Sequence, residues 1–569
     1  MGYANFKTAI YCPVANLNAI HDLEAFDRDF AFLEQHIRID KVYLETYRGN
    51  EFISRERMLE LKAFFEKRGI RTAGGITTSD AYHEEDLGYT SMCYTNEVHR
   101  NRLKDISEMT AAIFDEIILD DFFFTNCKCA SCAAAKGKRS WAEFRTELLL
   151  EVSQSLIIGP AKRVNPNVKM VIKFPNWYEG YQETGYNLKD EPGIYDGIYT
   201  GTETRDPMYT MQHLPKYLGY FLMRYLENVK PGGNGGGWFD LYECGWNMRY
   251  YTQQADLTVF GKAKEITLFC LEALLETGGR MYVPPLGKAF EALDTFAGSL
   301  GNPFGTACYL PYHSAGEDYL HNYVGMLGIP LEPMPEYPAD NRKVFLTQSA
   351  SADPDILEKI SRTLQGGGDV IVTSGFVREM QDKGFGHLAN IRVTGRSLRT
   401  RRFCLSLKGT TYDMTIEGEK DVLLPWITYH TNDIWQLAGG LGEDNQAPVL
   451  LAQKYGQGYL YILTVPDDFG EFYHYPEDIL SAIRVAFQTD SSIALNAPAK
   501  VAIFTYDNDT FVVQSFLEED VDAGISVGRS DAVLVGLQDG KSQQGVTAAG
   551  RTTFSVTIPA SEYRAYLIK

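Results

Sequence analysis

The chain has 569 residues, 44% of them hydrophobic and 22% charged, which is ordinary globular material and too much for a single core. Its 74 acidic and 54 basic residues give a net charge of −20, so nucleic acid and anionic membrane surfaces are excluded as natural partners. No stretch reaches the ~18 consecutive apolar residues of a spanning helix, and the opening MGYANFKTAIYCPV has neither a basic leader nor a long apolar run.

The first 300 residues alternate between strand-like and helix-like segments. KTAIYCPV is the first strand, and Leu23, Phe26, Phe30, Leu33 and Ile37 then step by three or four along one helix face. KVYLETY is strand two, RMLELKAFFEKRG a helix closed by glycine, and RTAGGITTS strand three. A helix over 96–114 leads to strand four, DEIILDDFFF. SWAEFRTELLLEVSQSLI is a helix, VKMVIKFPNWY strand five, DGIYTGTET strand six, and MYTMQHLPKYLGYFLMRYLENV a helix. GGWFDLYE is strand seven, 248–262 a helix, and EITLFCLEAL strand eight. Eight such units in about 300 residues match the size of a (β/α)8 barrel; a doubly wound open sheet is the alternative.

A second α/β domain follows, with RKVFLTQ, DPDILEKISRTLQ and GGGDVIVTSGF as strand, helix, and turn with strand; PVLLAQKYGQGYLYILTV is a hairpin about Gly456 and Gly458. From about 495 the period becomes two, as in KVAIFTYDNDTFVVQSF and TTFSVTI, which predicts a small antiparallel β domain. The expected domains are 1–305, 306–492 and 493–569. The glycines at 366–368 and 231–237 are turns: each leads into a strand, the reverse of a phosphate loop.

Barrel enzymes carry their reactive groups at the C-terminal strand ends. Those ends supply Glu45 and Arg48, Asp120 and Asp121, Lys173, Asn176 and Trp177, Glu203 and Arg205, then Asp240, Tyr242 and Glu243. Single carboxylates at such places commonly cap helices, but acids on strands four, six and seven converge on one mouth. Facing carboxylates among aromatics are what glycosidic hydrolysis uses. The 13% aromatic content suits sugar faces, with Trp177, Tyr242 and Trp246 as stacking candidates. The candidate acids are Asp121 as general acid/base and a strand-seven nucleophile, Asp240 ahead of Glu243, with Glu203 a third choice. Asp120, Glu45, Arg48, Lys173, Asn176 and Arg205 would hold the substrate. No H-E-x-x-H, G-x-S-x-G or Walker motif is present.

Cys127, Cys129 and Cys132 follow strand four, and Cys93 lies in the neighbouring loop. Four thiolates make a closed tetrahedral zinc set, a structural site that would pin the two loops; free thiols or an iron–sulfur cluster are the alternatives. The other five cysteines are scattered, as buried free thiols are, which favours a cytoplasmic location over a periplasmic or secreted one.

With an acid at the end of strand four, C-x-C-x-x-C beyond it and a further cysteine upstream, the chain resembles glycoside hydrolase family 42 and its clan. The resemblance implies a barrel, a flavodoxin- or glutamine-amidotransferase-like domain (GEDYLHNYVGMLGIPLEP, KVFLTQSASADPDILEKI, DVIVTSGF) and a small β domain. It also implies a structural zinc, a carbohydrate substrate and a homodimer or homotrimer. The clan ends strand four in Asn-Glu, the Glu being the acid/base, where this chain has Asp120-Asp121; its nucleophile is a strand-seven Glu. These departures mark a divergent branch, expected to be a glycosidase with a retaining mechanism. A non-catalytic sugar-binding protein on a hydrolase-derived barrel is the alternative.

Overall fold

In the computed structural model, which describes residues 2–80, 91–210, 212–406, 414–488 and 493–569, the alternation of the first 300 residues becomes a closed barrel. Its strands are β1 (Lys7–Cys12), β2 (Lys41–Arg48), β3 (Arg71–Ile76), β4 (Glu116–Leu119), β5 (Lys169–Phe174), β6 (Gly197–Gly201), β7 (Asn234–Asp240) and β8 (Glu265–Phe269). Each pairs in parallel with the next. Ile10 of β1 is in register with both Val42 of β2 and Leu268 of β8, which closes the ring and rules out the open sheet.

Local chemistry sets the connections. Helix α1 (Leu23–His36) begins where the Asp22 carboxylate accepts the backbone N–H groups of Glu24 and Ala25, and it buries Phe26, Phe30 and Leu33. Helix α2 (Glu97–Ala111) is capped in the same way by Asn96. Inside the barrel, Ala9, Tyr11, Tyr43, Ala73, Ile118, Tyr199 and Trp238 pack as one apolar layer. Gly75 makes room for Tyr11, since a Cβ there would stand 2.6 Å from the tyrosine hydroxyl. Below this layer, at the N-terminal strand ends, Lys41 Nζ lies 2.6 Å from Glu116 and 2.7 Å from Glu265.

Several expected elements are shorter than the sequence suggests, strands four to seven each ending before the expected run does, and two more have an evident local cause. The helix expected from Met208 begins only at Leu218; α3 spans Leu218–Val229. Pro215 has no N–H to give a preceding turn and pushes its neighbour out of the helical region, and the Asp206 carboxylate instead holds the N–H groups of Met208 (2.8 Å) and Tyr209 (3.1 Å) in a loop. Strand eight stops at Phe269, because Leu271–Leu275, rich in strong helix formers, is helical. Helix α4 (Met248–Phe260) packs outside β7, largely buried.

Residues Met1–Gly298 and Ser299–Lys569 are separate compact units. In the second, parallel strands Thr306–Tyr309, Leu331–Met334, Lys343–Leu346, Asp369–Thr373 and Gly458–Leu463 lie in the order second, first, third, fourth, fifth, that of flavodoxin-like folds. Four antiparallel strands extend this sheet, including a long hairpin of Ile391–Leu405 with Met414–Tyr429 that the sequence pattern did not disclose. The hairpin expected at 448–465 is present, with Gly456 at φ +59° in its turn. The last residues form antiparallel sheets about a core that includes Ile503, Phe511, Val513, Ile525 and Phe554.

Candidate active site

Among the described residues, three charged clusters ring the C-terminal mouth of the barrel. The first grows from β2. Glu45 is fully buried and accepts the Tyr11 hydroxyl at 2.7 Å, the Val14 N–H at 2.7 Å and Arg48 Nε at 3.1 Å, along with the Thr77 hydroxyl. Arg48 Nη2 crosses to Asp120 Oδ2 at 2.5 Å, and Asp120 Oδ1 accepts the Asp121 N–H at 2.5 Å. The second cluster stands on β5. Lys173 Nζ lies 2.8 Å from both Asp121 Oδ2 and Glu203 Oε1 and sits over the Trp238 ring. The third joins β6 to β7: Arg205 clamps Asp240 through Nε at 3.0 Å and Nη2 at 2.7 Å, and reaches Glu243 at 3.4 Å.

These clusters surround a cavity of about 480 Å³ whose charged wall is Arg48, Asp120, Asp121, Lys173, Glu203, Arg205 and Asp240. Its apolar wall includes Phe122, Phe124, Trp177, Trp238, Tyr242 and Phe269. Flat rings beside convergent polar groups suit a ligand with hydroxyl edges and apolar faces.

The adjacent carboxyls of Asp120 and Asp121 are driven apart. Burial opposes ionisation of Asp120, but its hydrogen bonds with Asp121 and the charges of Arg48 and Lys173 prevail and hold it well below the usual carboxylate range. Burial and the neighbouring Asp120 charge push Asp121 well up, against the pull of Lys173. Glu203 is raised by burial and the Asp240 charge, with Lys173 again opposing. Burial disfavours the charged forms of Lys173 and Arg205, but their carboxylate partners more than compensate and keep both cationic. One cavity thus holds two carboxyls pushed toward carrying a proton, Asp121 and Glu203, beside one held ionised, Asp120.

Of the residues expected from sequence, the acids on β4, β6 and β7 come together as anticipated, apart from Glu243, which is exposed at the rim and outside the cavity lining. Glu45 supports the cavity from below. Asn176 donates to the Glu203 carbonyl at 2.7 Å and lines the wall with Trp177, which meets Phe124 edge to face. Trp246 lies outside the cavity lining, against Tyr209.

Sequence reasoning missed Gln254 of α4, a fully buried glutamine. Its Oε1 accepts the N–H groups of Thr204 at 2.8 Å and Arg205 at 3.0 Å, while its Nε2 donates to the Asp240 carbonyl at 2.8 Å. Arg205 has φ +49°, and Lys216 donates to its carbonyl. One side chain therefore fixes the backbone on both sides of the Arg205–Asp240 clamp. The only signal in the sequence is a pair of glutamines, Gln253 and Gln254, in a helix otherwise facing the core.

The four cysteines also meet. Their Sγ atoms all lie within 4.8 Å of one another, with Cys93 at 3.6 Å from Cys132 and 3.8 Å from Cys129. Four sulfurs about 2.3 Å from a central zinc stand about 3.8 Å apart, so this donor set fits that ion. The Cys132 N–H and the Cys127 thiol pull the Cys129 thiol down to about 6, giving one ready thiolate. The remaining five cysteines are buried free thiols.

The closed barrel with its acid-lined mouth defines a (β/α)8 protein with a candidate site at its C-terminal strand ends. Residues 1–283 match the family model described as a probable glycosyl hydrolase catalytic domain, residues 301–468 the second domain of uncharacterized protein SSO3021, and residues 492–568 a probable glycosyl hydrolase C-terminal domain. The barrel resembles that catalytic-domain family, as a divergent, family 42-like branch. Protein SSO3021 of Saccharolobus solfataricus is 27% identical over 373 residues, 58% of this chain and 60% of that protein, so the match spans less than two thirds of the relative.

Among solved structures, a β-galactosidase from Bacillus circulans sp. alkalophilus aligns with a TM-score of 0.68 at 12% identity over 99% of both chains. Gan42B, a family 42 β-galactosidase from G. stearothermophilus, aligns with a TM-score of 0.63 at 12% identity, covering 100% of this chain and 98% of that one. An α-L-fucosidase isoenzyme 2 from Paenibacillus thiaminolyticus aligns with a TM-score of 0.64 at 11% identity over 100% of both chains. At these identities the structures share the fold. Among the described residues, no helix is long and apolar enough to cross a membrane.

Proposed function

We propose that the protein hydrolyses a glycosidic bond, with Asp121 as general acid/base and Asp240 as nucleophile. The observation that carries this reading is the opposed titration of two adjacent carboxyls facing an aromatic-walled cavity: Asp120 stays ionised and Asp121 keeps its proton. Asp121 donates that proton to the leaving oxygen. Asp240, ion-paired with Arg205, attacks the anomeric carbon, and water guided by Asp121 releases the sugar with net retention. Glu203 is the poorer partner for Asp121, because Lys173 Nζ already occupies the space between their oxygens. Its role is to hold Lys173 against Asp121.

Cys93, Cys127, Cys129 and Cys132 would bind a structural zinc, which leaves the metal no open position and ties the loops after β3 and β4.

The test is a screen of aryl glycosides, beginning with β-galactosides and α-L-fucosides because both activities occur among the structural neighbours. Asp121→Asn is expected to lose about 10²–10⁴-fold on poor leaving groups and far less on dinitrophenyl glycosides, which need no proton. Asp240→Asn should lose both. Undiminished turnover by Asp121→Asn on poor leaving groups refutes the assignment.

A further inference from the structure

Among the described residues, large apolar side chains exposed on the barrel unit are mostly isolated, but four of them, Met208 (64%), Tyr209 (60%), Tyr242 (40%) and Trp246 (75%), stand on the loops after β6 and β7. Tyr209 and Trp246 come from different loops, yet their rings lie 4.8 Å apart at 35° to each other. Both loops are rooted in the acid cluster. Tyr209 is four residues beyond Arg205, and Trp246 four beyond Tyr242, which itself walls the cavity. Four residues span at most about 14 Å, so both rings are rooted within that reach of residues that line the cavity.

We propose that Tyr209 and Trp246 form an outer saccharide subsite, a stacking platform for a sugar ring beyond the one held among the carboxylates. The substrate class is then an uncharged oligosaccharide or extended glycoside rather than a compact monosaccharide derivative. This rests on the hydrolase reading for its polarity: the inner ring is the one released, and the platform holds the leaving portion.

Two observations select this occupant. Both rings stand on the loops that carry Arg205 and Tyr242, which line the cavity. The net charge of −20 disfavours a polyanionic chain. Two broad rings kept in water on these loops are suited to stacking on a sugar's apolar face.

The test compares manno-, gluco- and galacto-oligosaccharides of two to six rings with the matching 4-nitrophenyl monoglycosides. For wild type, Trp246→Ala, Trp246→Phe and Tyr209→Ala, the readout is the ratio of kcat/KM on three-ring to one-ring substrates. The alanine variants are expected to lower that ratio about 3–10-fold, chiefly through KM, and Trp246→Phe to restore part of it. An unchanged ratio overturns the platform while leaving the hydrolase reading intact. So does an unchanged ratio with a lower sedimentation mass, which would make the patch a contact between copies. Should the wild type cut none of these compounds, the hydrolase reading falls by itself. The platform then stands or falls on whether the same oligosaccharides change tryptophan fluorescence in wild type and not in Trp246→Ala.

Discussion

Replacing Lys173 with methionine isolates the electrostatics of the mouth. Its ammonium lies 2.8 Å from one oxygen each of Asp121 and Glu203, so those oxygens are at most twice that distance apart, about 5.6 Å. At an effective dielectric of about 20, two charges that close repel by about 3 kcal/mol, worth about two pH units in the titration of one of them. Removing one partner from a buried ionic group costs about 3–5 kcal/mol, or on the order of 10 °C in Tm for a unit of this size. The sign follows from proton counting. Without Lys173 a carboxyl in the fold titrates still higher than in the unfolded chain, so the fold holds the extra proton and loses stability as pH rises through that window. Wild-type Lys173 is raised, so its own contribution is complete below the unfolded lysine range and constant between pH 5 and 8. Thermal melts should therefore show a larger deficit for Lys173→Met at pH 8 than at pH 5. The alkaline limb of any residual activity should move upward, because Asp121 keeps its proton longer. A deficit equal at both pH values would refute the bridging role.

Three further outcomes are expected. Asp121→Asn removes a carboxyl whose burial penalises ionisation, so its Tm should equal or exceed the wild type, with the advantage growing between pH 4 and 7 even as activity falls; a lower Tm at pH 7 contradicts the raised titration. Gln254→Glu keeps an acceptor for the Thr204 and Arg205 N–H groups but sets a carboxylate against the Asp240 carbonyl, so kcat should fall about 10–100-fold with the fold retained by circular dichroism; unchanged kcat would remove Gln254 from the positioning of Asp240. Protein purified without chelator should carry about one zinc per chain by elemental analysis, with Cys132→Ser losing it and melting lower; no metal in the wild type dismisses the site.

Much of this was legible in the sequence because barrels repeat a simple grammar. Strands β1–β8 read as short apolar runs, and the residue that ends each run is the one delivered to the mouth, so Asp121, Lys173, Glu203 and Asp240 could be gathered without coordinates. The C-x-C-x-x-C spacing likewise announced a shared centre with Cys93. Other features depend on partners far along the chain. Gln254 looks like any polar helix residue until β6 and β7 flank it. The segment that begins at Met208 carries apolar residues at helical spacing, but Asp206 holds its first N–H groups in a loop and Pro215 interrupts it, so periodicity misread it. The hairpin Ile391–Leu405 was obscured by its five arginines, which face solvent from one strand and interrupt the alternation.

The floor of the barrel repeats the motif of its mouth: Lys41 is flanked by Glu116 and Glu265 as Lys173 is by Asp121 and Glu203, with an aromatic layer between. No substrate is assigned to the lower triad, so an engineer can exchange it for well-packed hydrocarbon, a change that is often neutral or stabilising in other proteins. The same exchange at the upper triad would also remove the groups assigned to the proposed reaction. The lower triad can therefore be altered for stability alone, whereas any change at the upper one moves stability and the proposed turnover together.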